Sequence, residues 1–234
     1  MTLAEIAFGC YIYTAFGDYD ESYFRFFDET RPQLDLSKDQ HCKSLLVWLN
    51  KWGCLQFKIS DHDLAASEIK AWYEEFGPQL FQSATSLLSL SDSDFATIEA
   101  AYDGLVDRIA SMRAKRKGDK PTIAVTFGPV GTAKILFAVR PNALMPWDNP
   151  IFDEFKLDGS ASAYVSYLRM ATRWLNELSQ DCQSKGINLA DLPSVVGRPR
   201  SPLPKLIDEY LWVAITKRCK SPSKESLEKW VTWA

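Results

Sequence analysis

Phe127-Gly-Pro-Val-Gly131-Thr-Ala-Lys134-Ile-Leu-Phe-Ala-Val139-Arg-Pro141-Asn-Ala-Leu-Met-Pro-Trp147-Asp148 is unlike the rest of the chain. Two glycines bracket a Pro-Val pair, and apolar residues at helical spacing follow from Gly131 to Val139 before Arg140-Pro141 closes the run. A Gly-rich turn that leads into a helix N-terminus presents unpaired backbone N–H groups and the positive end of the helix dipole. That combination suits a phosphate of a nucleic-acid backbone, held by Gly128, Val130, Gly131 and Thr132. Lys134 falls in the first turn of the expected helix, where a cation opposes the dipole. Such a helix, about ten residues, is ~15 Å long. The connection Pro141–Trp147 spans ~23 Å when extended, so Asp148 can return towards Lys134 ahead of its own short helix.

On either side of this stretch the chain reads as helices. Leu3–Ala15 and Tyr19–Phe27 have helical apolar spacing, and Ser37 or Asp39 can cap a third helix running to Trp52 and ending at Gly53. Ser60 can cap a fourth, with Asp61 and Asp63 in its first turn and Leu64, Ile69, Trp72, Tyr73 and Phe76 on one face, up to Gly77-Pro78. Leu80–Leu90 reads as a short helix. Ser91–Asp94 opens a long one through Ile98, Tyr102, Leu105, Ile109 and Met112. It ends in the basic run Arg113, Lys115, Arg116 and Lys117, before Gly118 and Pro121. Thr122–Thr126 is a β-like run too short and isolated to found a sheet. Asn149–Phe155, Ser160–Lys185, Leu203–Arg218 and Ser223–Trp233 complete the helices, with a Pro-rich connection over 188–204. The expectation is an all-α fold: one multi-helix domain over 1–234, divisible into an acidic helical lobe, 1–117, and a basic lobe, 118–234, that holds the Gly-rich turn.

Composition sets the class. With 234 residues, 46% hydrophobic and 13% aromatic, the chain can bury a substantial core and is not disordered. No apolar run approaches the ~18–20 residues of a membrane span. Met1–Cys10 has no basic region ahead of an apolar stretch, so it does not read as a secretory signal. The five cysteines are scattered without a C-x-x-C pair, and His41 and His62 are the only histidines. That pattern offers no zinc or iron–sulfur ligand set and points to reduced thiols in a cytoplasmic protein. No cofactor and a monomeric state are expected. Net charge is −3, but its distribution is uneven: residues 1–100 carry 7 Lys+Arg against 16 Asp+Glu, a balance of −9, and residues 101–234 carry 20 against 14, a balance of +6. A polyanion responds to local potential, so the C-terminal half can hold DNA while the N-terminal half faces away.

Phe127-Gly128-Pro129-Val130-Gly131, Lys134 and Asp148 together resemble the helix-hairpin-helix DNA glycosylases, which excise damaged or modified bases. Their hairpin reads leucine-proline-glycine-valine-glycine, the next helix can begin with a catalytic lysine, and a catalytic aspartate opens a later helix after a short apolar segment. The resemblance is close over about 25 residues. Here Gly128 and Pro129 stand in swapped order, Lys134 lies one position late, and Asn149-Pro150 follows Asp148 in place of a small or polar residue and a histidine. The resemblance implies an enzyme that flips a base out of DNA and hydrolyses its N-glycosidic bond. Asp148 would stabilise an oxocarbenium-like sugar and orient water. Lys134 would either grip a phosphate or attack the sugar as an amine nucleophile. The released base needs aromatic neighbours, for which Trp147 with Asn149, and Trp48 and Trp52 flanking Asn50, are the candidates. Arg113, Lys115, Arg116 and Lys117 would contact phosphates. A modified base of phage DNA is one conceivable substrate. Other readings stay open: a DNA-binding module without catalysis, a helical protein-interaction domain, Asp148 as a helix cap, Lys134 as an exposed helix residue, and the tryptophans as core. Asp208-Glu209-Tyr210 reads as a surface helix turn.

Overall fold

The computed structural model describes residues 1–17, 19–114, 122–223, 225, 226 and 229. Lys115, Arg116 and Lys117, together with Gly118 and Pro121, lie outside the described residues, as does most of the expected helix Ser223–Trp233. The described chain is helical apart from one two-stranded sheet: α1 (Leu3–Tyr13), α2 (Tyr19–Glu29), α3 (Asp39–Lys51), α4 (His62–Phe76), α5 (Asp92–Val106), β1 (Ile109–Ala114), β2 (Thr122–Thr126), α6 (Gly128–Val139), α7 (Asn149–Glu154), α8 (Ala161–Ser184), α9 (Leu192–Val195) and α10 (Leu203–Leu211), which runs on as a π-helix over Trp212–Thr216. Among the described residues no helix is long and apolar enough to cross a membrane.

Local chemistry explains most boundaries. Thr2 with Glu5 and Ser91 with Asp94 form reciprocal capping boxes that start α1 and α5. Ser160 caps α8 by accepting the amide of Ala163 at 3.2 Å. For α3 and α4 the expected caps are not used. Helix α3 starts after Lys38 with no side-chain cap, so neither Ser37 nor Asp39 serves. Ahead of α4 the chain makes a 3₁₀ turn over Ile59–Asp61 that includes the expected cap Ser60, and Asp61, at the N-cap position, accepts the Met112 amide at 2.9 Å and makes no side-chain cap.

Three expectations are corrected. The helix expected to run from Ser91 to Met112 stops at Val106, and Ile109–Ala114 pairs antiparallel with Thr122–Thr126. Apolar residues at 109 and 112 fit helical spacing, but a strand with a bulge between Ile109 and Ser111 satisfies the same pattern. The run at Thr122 is therefore paired, and β1 is held further by Lys58, whose Nζ donates to the Met112 carbonyl at 2.9 Å. Leu80–Leu90 is mostly irregular, with only a 3₁₀ turn at Leu87–Ser89. Finally, α6 begins at Gly128, three residues before the expected start at Gly131, and the element ahead of it is β2 rather than a helix. Gly128 turns the chain at positive φ into the first turn of α6, made by Pro129, Val130 and Gly131, and the segment follows a strand rather than a helix.

One apolar core draws on both halves of the chain, with Ile6, Leu45, Trp72, Tyr102, Phe137, Tyr164 and Ile207 all fully buried. Helix α1 packs on α10, and α5 packs on α6 and α8. Helices α1 and α10 approach closely enough to require glycine: a Cβ on Gly9 would sit 2.5 Å from the Cα of Tyr210. Four of the cysteines, Cys10, Cys42, Cys54 and Cys182, are free and buried in this packing, and burial pushes the Cys54 and Cys182 thiols above their usual range.

Candidate active site

The start of α6 is fixed from several directions. The Phe127 amide donates to the Arg108 carbonyl at 3.0 Å, closing the base of the β-hairpin. Gln56 Nε2 donates to the Phe127 carbonyl at 2.9 Å. Gly128 then adopts φ +65°, the left-handed region that favours glycine, and Pro129 stands in the first turn, where its missing N–H costs nothing. After α6 the chain doubles back. Tyr164 on α8 donates its hydroxyl to the Met145 carbonyl at 2.8 Å, and Trp147 donates Nε1 to the Pro129 carbonyl at 3.1 Å. These bonds return Trp147, and with it Asp148, to the first turn of α6.

Asp148 is the N-cap of α7: its Oδ1 accepts the Ile151 amide at 3.2 Å. It also receives the Thr216 hydroxyl, 3.0 Å from Oδ1 and 2.8 Å from Oδ2. Thr216 lies in the π-helical turn that continues α10, an irregularity common at functional sites. The carboxylate is thus clamped between two elements while still lining a partly open cavity of about 550 Å³.

Lys134 lines the same cavity. Because α6 begins at Gly128, Lys134 is in its second turn and not in the first as expected. Its Nζ donates to the Trp52 carbonyl at 2.7 Å and lies 5.8 Å from the Trp52 ring centroid. Trp52 is the C-cap of α3, so the ammonium sits at the negative end of that helix dipole, a favourable place for a cation.

The remaining expected site residues divide. Gly128, Val130, Trp52, Trp147 and Asn149 line the cavity. Gly131 and Thr132 are buried in the packing of α6 and do not line it. A Cβ on Gly131 would meet Gln56 Nε2 at 2.7 Å and Phe57 at 3.1 Å, so this glycine serves close packing. Trp48 stacks on Phe26 with centroids 5.0 Å apart, and Asn50 bonds His62 Nε2 at 3.0 Å; neither reaches the cavity. Arg113, on β1, is exposed and donates to the Leu55 carbonyl at 3.1 Å.

The structure adds residues that sequence reasoning missed: Asp208, Trp212 and Lys217 line the cavity, and Thr216 holds Asp148. The recurrence of Asp208, Trp212 and Thr216 every four residues was the available signal. The pair Asp208-Glu209, expected on a surface turn, is buried, with 7% and 0% exposure. Glu209 joins a buried charge cluster with Lys205, Arg198 and Asp20: Lys205 bonds Glu209 and reaches Asp20 at 3.1 Å, and Arg198 bonds both carboxylates at 2.6 Å. Lys205 Nζ also lies 4.5 Å from the Tyr13 ring centroid and 5.1 Å from that of Tyr23. Burial alone would raise the Asp20 carboxyl, but the Arg198 hydrogen bond and Lys205 hold it below the usual range. Asp208 takes no part in this cluster. Among the described residues its carboxyl has no hydrogen-bond or ion-pair partner. Burial above all, with Asp148 and Glu209, pushes it up to about 8 against the pull of Lys205 and Lys134.

The site is therefore an aromatic-walled cavity that brings together two carboxylates of different character and one anchored amine. No family, no curated protein and no solved structure matches the chain.

Proposed function

We propose that the protein is a DNA N-glycosylase that hydrolyses the bond between sugar and base and leaves an abasic site. The observation that carries this reading is that Lys134 and Asp148 share one aromatic cavity with the first turn of α6. A cavity of about 550 Å³ is within the ordinary size of small-ligand sites and leaves room for a flipped nucleotide. Trp212, partly exposed, can meet a planar base, with the nearly buried Trp52 and Trp147 backing the cavity wall. Asp148, fixed by the Ile151 amide and the Thr216 hydroxyl, is a preorganised negative charge for an oxocarbenium-like sugar, and its remaining lone pairs can orient water. Lys134 is held by its hydrogen bond to the Trp52 carbonyl, which favours charge stabilisation over nucleophilic attack and so a monofunctional enzyme.

The test is incubation with DNAs carrying damaged and modified bases, including phage-type modified cytosines, with mass spectrometry of what is released. Asp148→Asn should cut release by two to four orders of magnitude, about the loss of one electrostatic stabiliser, with DNA affinity unchanged. Borohydride should trap no enzyme–DNA adduct. DNA binding without release from any substrate would make the protein a binding module instead.

A further inference from the structure

The cavity contains a group for which that mechanism has no use. Asp208 projects from α10, is nine-tenths buried and lines the cavity, yet no side chain among the described residues bonds or pairs with it. Its helical neighbour Glu209 has Lys205 and Arg198 as partners. Both cations are thus committed one residue away, and the Lys134 ammonium is committed to the Trp52 carbonyl. A buried carboxylate without a partner is unfavourable, whereas a neutral carboxylic acid facing a cavity is a hydrogen-bond donor waiting for an acceptor. The groups that act on it are Lys134 from α6, Asp148 ahead of α7, Lys205 and Glu209 from α10 itself, and the hydroxyls of Tyr13 on α1 and Tyr167 on α8. Two carboxyl groups in one site with opposite environments are the arrangement that separates an acid from a base.

We propose that Asp208 is the general acid of this site, donating its proton to a ring nitrogen or carbonyl oxygen of a neutral base as the glycosidic bond breaks. The inference rests on the glycosylase reading and narrows its substrate class to bases that must be protonated to leave. N-alkylated bases that already carry a positive charge fall outside that class. In the step, the C1′–N electron pair goes to the base and the Asp208 O–H proton goes to the base's acceptor atom. Water adds to C1′ and gives a proton to Asp148. Exchange with solvent then returns Asp208 to the acid and Asp148 to the carboxylate.

Two measurements test this separately from the glycosylase reading. The first is tryptophan fluorescence titration of the intact protein with free adenine and free 5-hydroxymethylcytosine, which do not themselves titrate between pH 6.5 and 9. Affinity for at least one should fall ~tenfold across that interval as Asp208 loses its proton. Asp208→Asn, which keeps a donor, should flatten the dependence, and Asp208→Leu should bind weakly throughout. The second is base release. Asp208→Asn should lose a factor of 10²–10⁴ on a neutral base. Release from neutral bases that is unchanged in Asp208→Asn, with the wild-type pH profile, overturns the proposal and leaves the glycosylase reading standing. A pH-dependent affinity lost in both variants, with no release from any DNA, overturns the glycosylase reading and keeps Asp208 as the donor. Absence of both binding and release overturns both.

Discussion

Replacing Asp208 by asparagine should make the protein more stable, by an amount that grows with pH. In the unfolded chain this carboxyl titrates at its ordinary 3.8; in the fold it is pushed up to about 8, first by burial and then by Asp148 and Glu209. Between those values the folded state binds more protons than the unfolded state, so unfolding becomes easier as pH rises. The slope is about 1.4 kcal/mol per pH unit, and over three units, from pH 4.5 to 7.5, it amounts to about 4 kcal/mol. Asparagine has the shape of the neutral acid and no proton to lose. The stability gap between variant and wild type should therefore widen by about 4 kcal/mol over that interval in the variant's favour. For a chain of this size that corresponds to ~8–16 °C in melting temperature. Above about pH 9 the gap should stop widening, because Asp208 is then ionised in both states. Urea unfolding of both proteins at pH 4.5, 6, 7.5 and 9 gives the comparison. Contributions from Asp20 and every other unaltered group cancel in the difference. Stability curves that run parallel across the whole range would mean that Asp208 is ionised in the folded protein, and the reasoning would fail. A gain in stability with a loss of base release is the trade expected of a group held in an unfavourable environment for chemistry.

Lys205 has no exposure and its ammonium holds Glu209 and Asp20 together; Lys205→Met should cost ~3–5 kcal/mol in urea unfolding, and adding Glu209→Gln should recover a large part of that. A loss under about 1 kcal/mol in the single variant would show that the cluster tolerates an unbalanced charge, against the usual cost of breaking a buried pair. Thr216→Val removes the hydroxyl that Asp148 accepts while keeping the shape; base release in single turnover should fall ~tenfold with DNA affinity unchanged, since about 1.4 kcal/mol of charge-assisted bonding is removed. Equal release rates would remove Thr216 as a positioning residue. Neutralising Arg113 and Lys115 together should lower the slope of log affinity against log salt by about two, one for each phosphate that no longer meets a cation; an unchanged slope would move the DNA surface elsewhere.

What the sequence made legible was local. The starts of α1 and α5 are where the pattern puts them, and the structure fixes both by capping boxes complete within four residues, Thr2 with Glu5 and Ser91 with Asp94. Strand β1 was missed because its partner lies across a chain reversal, and a bulged strand can imitate helical spacing over so short a run. Asp208 and Glu209 were misplaced for a related reason. Two adjacent carboxylates suggest solvent unless their compensating groups are known, and for Glu209 those groups come from Arg198 as well as from its own helix, with Asp20 arriving from α2. Lys134 and Asp148 could be paired from the sequence because one helix and one short connection separate them. Their fixing partners could not: the Trp52 carbonyl lies 82 positions from Lys134, and Thr216 lies 68 from Asp148. The bonds that settle how these two side chains are held are thus the ones with no local signal. Of the two sequence readings of Asp148, these bonds show the helix cap, and under the proposed function the cap is compatible with the catalytic role. As the cap of α7 it gives one oxygen to the Ile151 amide, and that bond with the Thr216 hydroxyl is what prevents the carboxylate from turning away from the cavity. A carboxylate free of structural duties would have to be ordered by its substrate at each turnover. Under the proposed function, one that already caps a helix would meet the developing positive charge without reorganisation, which is the condition under which electrostatic stabilisation is most effective.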